Sequence, residues 1–236
     1  MRAMATFLQT FDRFAASVLP VRLPDATVLR VRSMASVLKL GRDQIADLGL
    51  SQPSLVFIAR GATKLVAHTT GGREQVVGFH FEADLVIVPY GGAHFYCLQA
   101  LTDSELVVLP YAPFRRLACG DPRILERLLA ACEQPLQRLR DKAVALGRKT
   151  APERVADFLL SMASRIGVRR DGETVFELPM SRRDIADSLG LTIETVSRQF
   201  TQLREDGIIE TQGRAGVCLL DLPRLEARSG RVGLMA

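Results

Sequence analysis

Apolar residues along this chain change period twice, and each change marks a different kind of element. In residues 1–20, Phe7, Leu8, Phe11 and Phe14 fall at helical spacing, which predicts a short amphipathic helix packed on the domain C-terminal to it. Residues 21–50 mix helix and strand signals and specify neither. From Ser54 onward, β-rich runs are cut by Gly61, Gly71-Gly72 and Gly91-Gly92. Val56 and Ile58 alternate, as do Leu65 and Ala67. Residues 76–81, 97–101 and 106–110 read as further strands. Short strands with glycine turns predict an antiparallel roll or barrel.

The helical period then returns. Asp121-Pro122 is a start signal, Asp as N-cap and Pro at N1. After it Leu125, Leu129, Cys132, Leu136, Leu139, Ala143 and Leu146 recur at steps of three and four. Such a stripe suits a helix lying on a symmetric copy of itself, and pattern alone fits packing on its own roll nearly as well. Pro135 removes one ladder bond and costs about 3 kcal/mol in a helix interior, which predicts a kink or break near Gln134. Gly147-Arg148-Lys149-Thr150 reads as a hinge. The next helix spans 152–167 with Val155, Phe158, Leu159 and Met162 inward, and Asp171-Gly172 suits the turn of a short hairpin.

Residues 180–203, MSRRDIADSLGLTIETVSRQFTQL, hold two apolar faces. Ile185, Ala186 and Leu189 form the first; Ile193, Val196, Phe200 and Leu203 form the second. Ser181 with Asp184 starts one helix, Gly190 supplies the positive φ that ends it, and Thr192 caps the next. Two short helices joined by a glycine turn make a helix-turn-helix. Residues 206–221 then read as strand, Gly-rich turn and strand, a wing with Arg214 at its tip; residues 224–236 read as a frayed tail.

On the second helix Glu194, Ser197 and Arg198 stand at i, i+3 and i+4 and share one exposed face. Arg bonds guanine O6 and N7 together, Glu accepts from the cytosine amino group, and Ser serves either strand. The trio therefore suits reading a G·C pair in the major groove of double-stranded DNA. Arg182, Thr192, Thr195, Gln199 and Arg214 are candidates for phosphate contacts, which position without specifying. The alternative is an ordinary amphipathic helix whose Glu and Arg form a surface pair.

The stretch LGLTIETVSRQFTQLREDGII, preceded by SRRDIADSLG, strongly resembles the Crp/Fnr superfamily of bacterial transcription regulators. Its Glu-x-x-Ser-Arg form is similar to the Fnr and FixK branch, whose members recognise TTGA-type palindromes. That resemblance implies base-reading roles for Glu194, Ser197 and Arg198, a cyclic-nucleotide-binding-type β-roll, and a dimer built on the long helix. GFHFEADLV resembles a roll segment where relatives commonly carry Gly, here Ala83, ahead of the Asp. Cyclic-AMP-binding members hold the nucleotide with a Gly-Glu-Leu stretch and an Arg-Ser pair. Val88 stands near the place of the Glu, and no Arg occurs from Glu74 to Val108. A phosphodiester there lacks a guanidinium partner, so no cyclic-AMP response is expected.

Charge and cysteines sharpen this picture. The net charge of +5 does not reside in the DNA-reading region: residues 150–236 hold 12 Arg and 13 acidic residues, whereas residues 1–149 hold 19 Lys or Arg against 13 acids. Attraction to DNA must then come from charge placed on one face. Cys97, Cys119, Cys132 and Cys218 form no C-x-x-C pair, against a disulfide framework, a zinc ribbon or an iron-sulfur cluster. The absence of any Cys before Cys97 departs from the oxygen-sensing Fnr proteins. His68, His80 and His94 are each alone in their strands; His94 with Cys97 is the most suggestive redox or haem pair, and Cys218 lies in the wing. No metal and no cofactor are expected. No run reaches 18 apolar residues, and the N-terminal stretch lacks a signal-peptide layout, so a bacterial cytosol is expected.

The expectation is an α+β chain with an arm and antiparallel β-roll over 1–112, a dimerisation helix over 113–147, a winged helix-turn-helix over 148–223 and a tail. Its expected work is that of a homodimeric activator that meets RNA polymerase. A cupin-like metalloenzyme with an appended DNA domain is the competing class, although His80-Phe81-Glu82 supplies only a fragment of a metal set.

Overall fold

Helices α1 (Arg2–Val18) and α2 (Asp25–Met34) precede the strands β1 (Ser36–Leu40), β2 (Ser54–Arg60), β3 (Thr63–His68), β4 (Glu74–His80), β5 (Leu85–Val88), β6 (Phe95–Ala100) and β7 (Ser104–Pro110). The computed structural model describes residues 2–49, 51–69 and 71–231. These strands pair antiparallel, giving one sheet in the order β1-β7-β2-β5 and another in the order β4-β3-β6. This is the expected roll, and it also resolves the ambiguous residues 21–50 into a helix and a strand.

The alternation read at Val56 and Ile58 is half of the truth, because β2 is buried on both faces from Ser54 to Ala59. Val56 and Ile58 pack inside the roll with Leu65, Leu98 and Leu106. Leu55, Phe57 and Ala59 face the opposite way, into a cluster with Phe11, Phe14 and Ile124. A strand covered on both sides reads as a continuous apolar run, since neither face needs polar residues. The predicted helix α1 provides the cover: Phe14 meets Phe57 and Phe114 edge-on, with centroids 5.7 and 6.3 Å apart.

The helix start read at Asp121-Pro122 is where α4 (Pro122–Arg148) begins, and the earlier part of the expected 113–147 segment belongs to a separate helix, α3 (Tyr111–Cys119). The break falls at Gly120-Asp121, and Asp121 Oδ1 accepts from the backbone N–H of Arg123 at 3.1 Å. The expected break at Pro135 is absent, since α4 runs continuously through it. One missing ladder bond with long stretches of helix on either side does not break the element. Two adjacent stripes run along α4. Ile124 and Leu128 are 0% and 5% exposed and join the roll's outer core, whereas Leu129, Leu136 and Leu139, on the neighbouring stripe, are 59%, 48% and 48% exposed. Leu125, Cys132 and Leu146 are half-buried and Ala143 is exposed.

Contacts divide the chain into two units, residues 1–139 and 140–236, with the division inside α4. The second unit continues with α5 (Ala151–Ile166), β8 (Val168–Arg170), β9 (Glu173–Glu177), α6 (Arg182–Leu189), α7 (Ile193–Glu205), β10 (Ile209–Gln212), β11 (Gly216–Leu219) and α8 (Leu222–Arg228). Its strands form one antiparallel sheet in the order β10-β11-β9-β8. Asp171 and Gly172, at φ 50° and 89°, make the predicted hairpin turn. Val155, Phe158, Leu159 and Met162 are buried as expected. The tail is corrected: residues 222–228 are helical, because Asp221 caps them by accepting from the Arg224 N–H at 2.9 Å and Leu225 is an inward anchor. Residues 232–236 of that tail lie outside the described residues. Among the described residues no helix is long and apolar enough to cross a membrane.

Candidate nucleic-acid interface

Local hydrogen bonds define both helices of the motif. The Ser181 N–H donates to Asp184 Oδ2 at 2.8 Å while the Asp184 N–H donates to Ser181 Oγ at 3.2 Å, a reciprocal cap that starts α6. Gly190 ends it at φ 62°, its N–H returning to the Ala186 carbonyl. Thr192 then starts α7, its hydroxyl accepting from the Thr195 N–H at 3.2 Å. Ile185, Ala186 and Leu189 of α6 are buried, as are Val196, Phe200 and Leu203 of α7. Ile193, expected on that second face, is half-buried.

The opposite face of α7 carries the chemistry. Glu194, Ser197 and Arg198 are all exposed. Glu194 sits in the first turn, where its own N–H, the Thr192 hydroxyl and the Arg198 charge hold its carboxyl below the ordinary range. It is therefore an acceptor only at neutral pH. Arg198 reaches the Thr195 hydroxyl at 3.5 Å, a weak bond that leaves most of its donors outward. Thr192 is exposed, and Thr195 and Gln199 are half-buried beside the trio. Arg214 is exposed in the turn joining β10 to β11, as expected of a wing tip.

Arg182 is placed differently from the sequence expectation. Its guanidinium lies over the Phe200 ring at 3.5 Å from the centroid, and Nη1 is buried without a hydrogen-bond partner. Burial pulls its pKa down. A guanidinium stacked on an aromatic ring between α6 and α7, with Nη1 buried, has fewer donors left for a phosphate. Sequence reasoning also missed Arg154, which donates to the carbonyls of Leu146, Lys149 and Leu189. An arginine in the first turn of a helix after a Thr-x-x-Glu cap carries no signal for distant carbonyl partners.

The histidine and cysteine expectations also change. Cys97 meets His68 rather than His94, with Nε2 to Sγ at 3.2 Å, and His68 Nδ1 lies 3.6 Å from Glu74. His94 is exposed with its ring edge-on to Tyr96. His68 turns different nitrogens to Cys97 and Glu74, and among the described residues no group of three metal-ligating side chains converges. Burial, then the Glu74 charge, pushes the Cys97 thiol up. Burial and a bond to Glu173 push Cys218 up to about 11. Both are held as thiols, the poorly reactive form.

Comparison with known proteins agrees with this geometry. Residues 153–228 match the Crp-like helix-turn-helix domain. The nitrogen fixation regulation protein FixK of Bradyrhizobium diazoefficiens is 38% identical over 174 residues, 74% of this chain and 73% of that protein. The transcriptional activator protein anr of Pseudomonas aeruginosa is 31% identical over 222 residues, 91% of each chain. The structure of FixK2 from Bradyrhizobium japonicum superposes with a TM-score of 0.74 at 32% identity, covering 84% of this chain and 98% of that one. These relatives are regulators, which removes the metalloenzyme alternative. The chain belongs to the Crp/Fnr family of DNA-binding transcription regulators.

Proposed function

We propose that the chain acts in the bacterial cytosol as a homodimeric activator that reads a palindrome of TTGA-type half-sites and meets RNA polymerase. Glu194, Ser197 and Arg198 contact base edges, and Thr192, Thr195, Gln199 and Arg214 hold phosphates. The observation that carries the dimer is the outer stripe of α4, three leucines left about half exposed beside an inner stripe already used by the roll. Exposed leucines in a continuous row suit an interface with another chain. A two-fold pairing sets two recognition helices about 34–36 Å apart, one turn of DNA. The relatives named as activators support that direction of control.

Cyclic AMP has no part in this reading. The connection from β5 to β6 and both strands hold no Lys or Arg, so this segment offers no cationic partner to a phosphodiester. Selection of bound sequences from random DNA tests the whole proposal. Recovery of symmetric TTGA-type sites, unchanged by cyclic AMP or reductant, is the expected result. Asymmetric single sites, or a saturable gain in affinity on adding the nucleotide, contradict it.

A further inference from the structure

Arg154 stands in the first turn of α5, half-buried, and donates three hydrogen bonds, each to a main-chain carbonyl. Nη2 reaches Leu146 at 2.8 Å, Nε reaches Lys149 at 2.9 Å and Nη1 reaches Leu189 at 3.0 Å. Leu146 lies in the last turn of α4, Lys149 in the link to α5, and Leu189 at the end of α6, just before the Gly190 turn. The last carbonyls of a helix have no partner within it, and both helix ends are the negative poles of their dipoles. A single planar cation thus satisfies orphan acceptors from two helices at once. Lysine offers a point charge without that fork.

Two further contacts join the same segments. Lys142, one turn before Leu146, donates from Nζ to Ser188 Oγ at 2.9 Å. A Cβ on Gly190 would stand 3.4 Å from Leu146 Cδ2 and 3.7 Å from Arg154 Nη1, so the turn is seated directly on the end of α4. The link over 147–150, read from sequence as a hinge, is bridged by Arg154 from both sides.

We infer that Arg154 is a positioning residue for DNA recognition. It holds the helix-turn-helix turn to the last turns of α4, so the pose of α7 follows the C-terminal end of that helix. Arg154 thereby sets the spacing between half-sites that the dimer accepts, without touching DNA. This rests on the homodimer proposed above.

The test uses duplexes with two half-sites at the preferred separation and at one or two base pairs more or less. Full-length wild-type protein is compared with Arg154→Ala and Arg154→Lys, with oligomeric state and melting temperature recorded for each. Because one added base pair turns a half-site away from its helix, wild type is expected to reject it roughly tenfold or more. Both variants are expected to reject it about threefold or less. Discrimination between bases inside a half-site stays as in wild type. Should Arg154→Ala not fold, Arg154→Lys carries the test alone. Variants that melt earlier yet keep the wild-type spacing preference overturn the inference and leave the dimer standing. Wild-type protein with no preference for paired over single half-sites overturns both.

Discussion

The guanidinium of Arg182 rests on the ring of Phe200, 3.5 Å from its centroid, joining the first residue of α6 to the middle of α7. The contact fixes the angle between the two helices from within. Arg182→Ala is expected to destabilise the protein by about 1–2 kcal/mol through lost stacking and stem packing. It is also expected to leave the salt dependence of DNA binding unchanged. Loss of a phosphate contact lowers the salt slope by about one, so a drop of that size would return Arg182 to the DNA surface.

Gly190 turns the chain at φ 62° with Leu146 closing over it, whereas Gly207 has a similar φ of 66° and open space around it. A side chain in the left-handed region costs about 1–2 kcal/mol. Gly190→Ala and Gly207→Ala both carry that strain, and Gly190→Ala adds the contact with Leu146. Chemical denaturation is expected to rank Gly190→Ala as the less stable of the two; equal losses argue against the seated turn.

Leu136 and Leu139 test the dimer stripe without disturbing a core, since both are about half exposed in the single chain. The double change to Asp is expected to give a folded monomer by sedimentation. Affinity for the palindrome then falls to that of one half-site. A variant that remains dimeric places the interface elsewhere.

Burial pulls the pKa of Lys142 from 10.5 down to about 8. Below pH 8 both the folded and unfolded chains hold this proton, so its contribution is constant. Between about pH 8 and 10.5 only the unfolded chain binds it, and stability rises with pH by up to about 3 kcal/mol. The stability of wild type minus that of Lys142→Met is therefore flat below pH 8 and grows above it. A difference that stays flat to pH 10.5 shows an ordinary, solvated lysine.

How much of the fold is legible in the sequence depends on how local each signal is. Ser181, Asp184, Gly190 and Thr192 act within one turn of themselves, so the helix-turn-helix is legible to the residue. Arg154 is not, because its acceptors lie 5, 8 and 35 residues away and are backbone carbonyls, which every residue has. On α4 two apolar stripes stand one residue apart; periodicity alone picks out Leu125 and Leu129 and passes over Ile124 and Leu128. Which stripe meets the roll depends on α1, whose Phe11 and Phe14 complete that core from more than a hundred residues earlier. In β2 the same distant helix turns an apparently one-sided strand into a buried one. The tail escapes a sequence reading because its helix depends on one cap, Asp221, and one anchor, Leu225.

The base-reading role of α7 is tested most directly by comparing wild-type protein and Arg198→Ala on duplexes in which each base pair of the half-site is replaced in turn. Removing the guanidinium is expected to cost about 1–3 kcal/mol, roughly 5- to 150-fold, and to abolish discrimination at one G·C position per half-site while the others stay sharp. Arg198→Ala protein that still rejects every substitution as strongly as wild type contradicts the account.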